Sequence, residues 1–168
     1  RTIAWFEQVQ GGGGAWPRHV ISRRPHGPRA VLAADADGAG ADAAPPASSG
    51  DDTVAWYEQR ADGAWSAHVI SAAAVAAHAV CAADLDGDGD VDVLSASVVD
   101  GTVAWDENDG AEAFARRVIS TANDGARAVI AVDIDGDGDL DVVSASEFAD
   151  VVAWHENRCG NCTRAPPP

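Results

Sequence analysis

The sequence has no lysine, no methionine, few aromatic residues and no long apolar run. Each absence excludes something. All 11 basic residues are arginine, set against 27 acids, for a net charge of −16. Nucleic acid is therefore not a partner, because its phosphates need basic side chains. The missing methionine extends to position 1, so Arg1 is not a translation start, and the chain reads as a mature product or a fragment. No apolar stretch approaches the ~20 residues of a membrane-spanning helix. No signal peptide is visible, though a removed one would leave no trace. No segment sustains a 3.6-residue period, so helices are not expected. The alanine run SAAAVAAHAV at 71–80 has helix propensity. Its counterparts SRRPHGPRAV and STANDGARAV contain Pro or Gly, which favours loop-then-strand.

What is present is a repeat. Trp5, Trp56, Trp105 and Trp154 each open a WxE triplet, in IAWFEQ, VAWYEQ, VAWDEN and VAWHEN. A second marker follows the first three: RHVIS at 18–22, AHVIS at 67–71 and RRVIS at 116–120. A third is an Asp-rich loop beginning at Asp35, Asp84 and Asp133, with a spacing of 49. Each period reads as four short strands, as in HAVCAAD, DVLSAS, TVAWDEN and AFARRVIS, with Gly, Asp and Asn marking the turns. The fold class is all-β: tandem four-stranded repeats of about 49 residues, propeller-like. Three full periods and one additional WxE strand occupy residues 1–157, and a Cys/Pro-rich tail occupies 158–168. A ring usually needs at least about four blades. The array is therefore part of a longer propeller, open, or completed by other chains. Hydrophobic residues make up 46% of the chain, but many are Ala and Val. A core of such small side chains buries little area per residue, so metal, covalent links or neighbouring subunits are expected to help hold the fold.

Two loops carry the chemistry: DLDGDGDVD at 84–92 and DIDGDGDLD at 133–141. Calcium takes six to eight oxygen ligands, and acids at alternate positions of a tight loop can supply them. Asp84, Asp86 and Asp88 are expected to give side-chain oxygens, Asp90 its backbone carbonyl, and Asp92 a closing bidentate carboxylate. Asp133, Asp135, Asp137, Asp139 and Asp141 are the equivalents, with Gly89 and Gly138 at the sharp turn. The alternative is a solvated acidic turn. An EF-hand does not fit, because position 12 is Ser95 or Ser144 and the flanks are strands. The first loop, DADGAGADA, has Ala39 and Ala43 where acids should stand, so no tight calcium is expected there. Pro45 and Pro46 follow where a strand should pair, and APPASS reads as an exposed edge or a glycan-bearing loop.

The remaining candidates are weaker. Cys81 aligns with Leu32 and Ile130 and reads as a buried apolar substitute. Cys159 and Cys162 form one CxxC, without the second pair of a zinc site, and are disulfide candidates within the chain or to another chain. Asn161-Cys162-Thr163 fits the N-glycosylation pattern. The closing APPP favours polyproline conformation, as a stalk or a frayed end. The tryptophans could stack on sugars, but their recurrence at equivalent strand positions suits blade packing better. The Ser95/Ser97 and Ser144/Ser146 pairs also repeat and look structural. No Ser, His and acid set stands apart from the repeat, so no catalytic residue is assigned.

The DxDxDG loop, the VLSAS strand and the VAWxEN strand resemble the FG-GAP/VCBS repeat family of integrin-α-type propellers, over about residues 2–157. The resemblance implies a calcium-binding β-propeller or propeller-like array, an extracellular or cell-surface location, and adhesion, scaffolding or ligand binding. The expected function is a non-catalytic structural or adhesive calcium module, self-associating into a filament or surface layer. The alternative is a carbohydrate- or ligand-binding propeller within a larger protein, with glycans as partners.

Overall fold

A computed structural model describes residues 2–8, 16–23, 27–31, 46–48 (backbone only), 52–60, 62–111 and 113–158. The described elements are all strands: β1 (Ile3–Phe6), β2 (Arg18–Ser22), β3 (Pro28–Val31), β4 (Pro46–Ser48), β5 (Val54–Gln59), β6 (Trp65–Ser71), β7 (Ala77–Ala83), β8 (Asp92–Ser97), β9 (Val103–Asn108), β10 (Phe114–Ser120), β11 (Ala126–Val132), β12 (Asp141–Ser146) and β13 (Val151–His155). After Ser71 ends β6, the 72–76 segment is a turn that leads into β7, as its Gly- and Pro-bearing counterparts imply.

The strands form four antiparallel sheets, β1-β2, β3-β4-β5-β6, β7-β8-β9-β10 and β11-β12-β13. Each complete sheet is one sequence period, in the order loop-flanked pair, WxE strand, VIS strand. The sheets do not close into a ring among the described residues. Their first strands stand side by side: β7 packs against β3 and β4 on one flank and against β11 on the other. β4 lies between β3 and β5 rather than at an edge as APPASS suggested, with Pro46 at its first position, where a missing N–H is tolerated.

Two cores fill the spaces between units. Val54, Trp56, Ile70, Ala74, Ala77 and Val93 join the first four-stranded sheet to the second. Leu85, Leu94, Ala96, Val103, Ala126, Val129 and Val142 join the second to the third. Ala74, Ala77, Ala96 and Ala126 are fully buried, which lets the sheets approach closely. Cys81 is half-buried against the second core, not fully enclosed. Trp56 is the tryptophan that is fully buried, whereas Trp5, Trp16 and Trp154 are exposed, so packing between blades accounts for only part of the tryptophan pattern.

Candidate metal centre

Both intact Asp loops link the first strand of a unit to its second, and both fold the same way. The loop must reverse sharply, and Gly89 and Gly138 take φ of 98° to do so, a conformation L side chains rarely adopt. Their amides donate to the first acid of each loop: Gly89 N to Asp84 Oδ2 at 3.0 Å, Gly138 N to Asp133 Oδ2 at 3.1 Å. Asp86 and Asp135 each accept from the amide two residues on, at 3.2 Å. Asp88 and Asp137 do likewise, at 2.9 and 3.0 Å. These bonds turn the carboxylates toward the loop interior.

The ninth position serves a second purpose. Asp92 Oδ2 accepts from Leu85 N at 3.0 Å and its Oδ1 from Asn108 N at 2.8 Å. Asp141 repeats this with Ile134 N at 3.2 Å and Asn157 N at 2.8 Å. Each carboxylate ties its loop to the WxEN strand, and each oxygen keeps a lone pair for a cation. The Asn side chains add to the tie: Asn108 Nδ2 donates to Val91 O at 3.2 Å, and Asn157 Nδ2 to Leu140 O at 3.1 Å. Asn157 Nδ2 also reaches Leu85 O in the preceding unit, at 3.1 Å.

Carboxylate oxygens of Asp84, Asp86 and Asp88 lie within 4.8 Å of one another, and so do those of Asp133, Asp135 and Asp141. Asp90 and Asp139 stand outside these groups, consistent with the expectation that they offer backbone rather than side-chain oxygen. Asp137 in the second loop and Asp92 in the first are not gathered with their neighbours. The donor set is all hard oxygen, which suits calcium or magnesium rather than a softer metal. Asp84 Oδ1 is buried and accepts no hydrogen bond among the described residues. A buried, unsatisfied carboxylate oxygen is costly, and a cation at the centre of the loop would satisfy it. The residues therefore fit a divalent metal.

Electrostatics separates the two loops. Burial pushes Asp92 up to about 6, against the pull of the Asn108 and Leu85 amides. Asp86 is also raised, by burial and then by its acidic neighbours. In the last loop the Asn157 amide holds Asp141 below the usual carboxylate range, with the Ile134 amide in support. Asp135 is raised by desolvation and by Asp137, Asp141 and Asp133.

The Asn residues escaped the sequence reading, yet a signal exists. Units with Asp at the ninth loop position end their WxE strand in Asn, at 108 and 157, whereas the unit with Ala43 ends in Gln59. The decayed first loop, Cys159, Asn161 and Cys162 lie outside the described residues.

A family of FG-GAP-like repeats matches residues 47–95 and 84–144, together more than half of the chain. The chain belongs to the FG-GAP-like repeat family. The second match contains both Asp loops whole, so the loops are part of the FG-GAP-like repeat itself. No curated protein matches the chain. FG-GAP-like repeats often bind calcium and are typical of extracellular proteins. No described helix is long and apolar enough to cross a membrane.

Proposed function

We propose that the chain is a non-catalytic, extracellular calcium-binding repeat module that acts as a structural or adhesive scaffold and associates with copies of itself. The observation that carries this reading is the pair of oxygen-lined loops, each with its ninth acid fastened to the WxEN strand. Calcium bound there would brace the corner of each unit. The fold has cause to need it, since its cores are built largely of Ala and Val and it carries many acids. The role is bracing rather than reaction. Ser144 Oγ does lie 3.1 Å from His155 Nε2, but Ser144 is buried in the sheet and also accepts from Asn123 Nδ2, which supports a structural role for the pair.

Calcium titration of the purified chain should give two sites. Chelation should lower the melting temperature, since calcium at a thousandfold over its Kd adds about 4 kcal/mol per site. No binding at millimolar calcium, with melting unchanged by chelator, would overturn the reading. A glycan-binding role has one supporting observation, the exposed rings of Trp16 and Trp154. A glycan array without hits removes it.

A further inference from the structure

Each completed WxE strand is covered the same way. His19 of β2 stacks on Trp5 with ring centroids 4.3 Å apart, and its Nε2 lies 3.1 Å from Glu7. His68 of β6 stacks on Trp56 at 4.4 Å and lies 3.1 Å from Glu58. Arg117 of β10 sits 5.4 Å over the Trp105 ring and pairs with Glu107. In all three, the basic residue stands directly opposite the Trp in the strand register. One fourth-strand side chain thus reads both the ring and the acid two residues beyond it.

β13 has the Trp and the acid without the basic residue. Among the described residues it pairs with β12 alone. Trp154 is 48% exposed and Val152 75%, and Glu156 turns to Arg158 two residues on. An open strand edge with an uncovered aromatic is a site for strand addition.

We propose that the open edge of β13 accepts the β2 strand of a second copy of this chain, in the register that joins β9 to β10. This rests on the self-associating reading above and names its surface. The occupant is chosen by pattern: β2 carries His19-Val20-Ile21-Ser22, the same basic-Val-Ile-Ser sequence that covers Trp56 as His68–Ser71. In that register His19 stands opposite Trp154, Val20 opposite Ala153 and Arg18 opposite His155. Burial lowers the His155 pKa, so Arg18 meets a neutral ring. In the donor copy, the incoming β13 replaces β1, which is the same WxE element and packs chiefly on β2. One antiparallel pair is exchanged for another, so backbone hydrogen bonds are conserved. The gain comes from the next unit, which would cover the exposed Ile130, Val132 and Ile134 as the third unit now covers Leu85.

The test mixes a Val20→Cys variant with an Ala153→Cys variant in calcium under mild oxidation, and maps linked peptides by mass spectrometry. Directly paired strand positions lie within disulfide reach. A 20–153 link between copies, formed only in the mixture, is the expected result. Sedimentation supplies a second measurement with opposed signs: Trp154→Ala should weaken association several-fold, while Trp5→Ala, which loosens β1, should strengthen it. Association without the 20–153 link overturns the proposal and leaves self-assembly standing by another surface. A 20–153 link within one chain of the double variant also overturns it. If Trp5→Ala and Trp154→Ala shift association in the same direction, the exchange is wrong. A folded, calcium-loaded chain that stays monomeric at high concentration removes the self-assembly reading itself.

Discussion

The two Asp loops differ at two of nine positions, yet they sit in different surroundings. Leu85, second in the middle loop, is 6% exposed, and Ile134, its counterpart in the last loop, is 48% exposed. The residue types are nearly equivalent, so the side chain does not cause the difference. The next unit does: Leu85 lies in the core shared with Val129 and Val142, and Asn157 reaches its carbonyl. The ninth acids are both buried, yet burial raises Asp92 while the amide partners of Asp141 hold it lowered. In a repeat array, a site's properties belong partly to its neighbour.

The contrast can be broken most directly by truncating its two markers. Leu85→Ala should cost about 3 kcal/mol, and Ile134→Ala less than about 1 kcal/mol, in chemical denaturation of the chelated chain. Equal costs would mean that the third unit does not cover the middle loop. Acid should then separate the loops. With Asp92 at about 6, at pH 5 a proton holds the ninth position of the middle loop against calcium and lowers its affinity roughly tenfold, while Asp141, the ninth acid of the last loop, stays ionised. Calcium titrations at pH 5 and 7.5 should show one site weakening well before the other. In chelator the stability sign is the reverse. The folded pKa of Asp92 lies above its unfolded value of 3.8, so its contribution is full below about 4 and is lost as pH rises through about 6.

Asn157→Ala sharpens the comparison further. It removes the bond to Leu85 O and should cost about 1 kcal/mol, loosening the middle loop although the mutated residue follows the last one. Amide exchange at Leu85 and Asp86 is the readout, and protection unchanged there would show that the two units are not coupled through this side chain. The smallest effect tests the alignment of the units. Ala76 adopts φ 54°, where the equivalent positions hold Gly27 and Gly125 at φ 70°. Ala76→Gly should therefore stabilise by roughly 0.5–1 kcal/mol in thermal melting, because relief of left-handed strain outweighs the added chain entropy.

Most of the architecture was legible because period and turn chemistry repeat. The 49-residue spacing, the DG turns and the VIS markers fix the order of strands without reference to packing. The Asp loops were legible for the same reason, since alternate acids around a glycine imply inward carboxylates. What was not legible depends on contacts between units. Nothing in DLDGDGDVD says that Leu85 will be covered and Ile134 left open. The roles of Asn108 and Asn157 were hidden because a turn residue at a strand end reads as punctuation. The WxE motif repeats without marking burial: Trp56 is enclosed in the core shared with the second sheet, Trp105 is half-buried, and Trp5 and Trp154 are exposed.

The pair of buried Asp106 and half-buried Arg116 carries a consequence of another kind. Arg116 Nη1 lies 3.0 Å from Asp106 Oδ2 and also donates to Ser71 of the preceding unit, at 3.1 Å. The same register holds Tyr57 in the first unit and His155 in the third. The units look like copies, but at this position each has its own occupant. Shuffling single strands between them would leave an acid or a guanidinium enclosed without its counterpart, a loss of several kcal/mol. Recombination within this chain is therefore tolerable only in whole units, and the buried charge marks where the seams of such a rearrangement cannot fall.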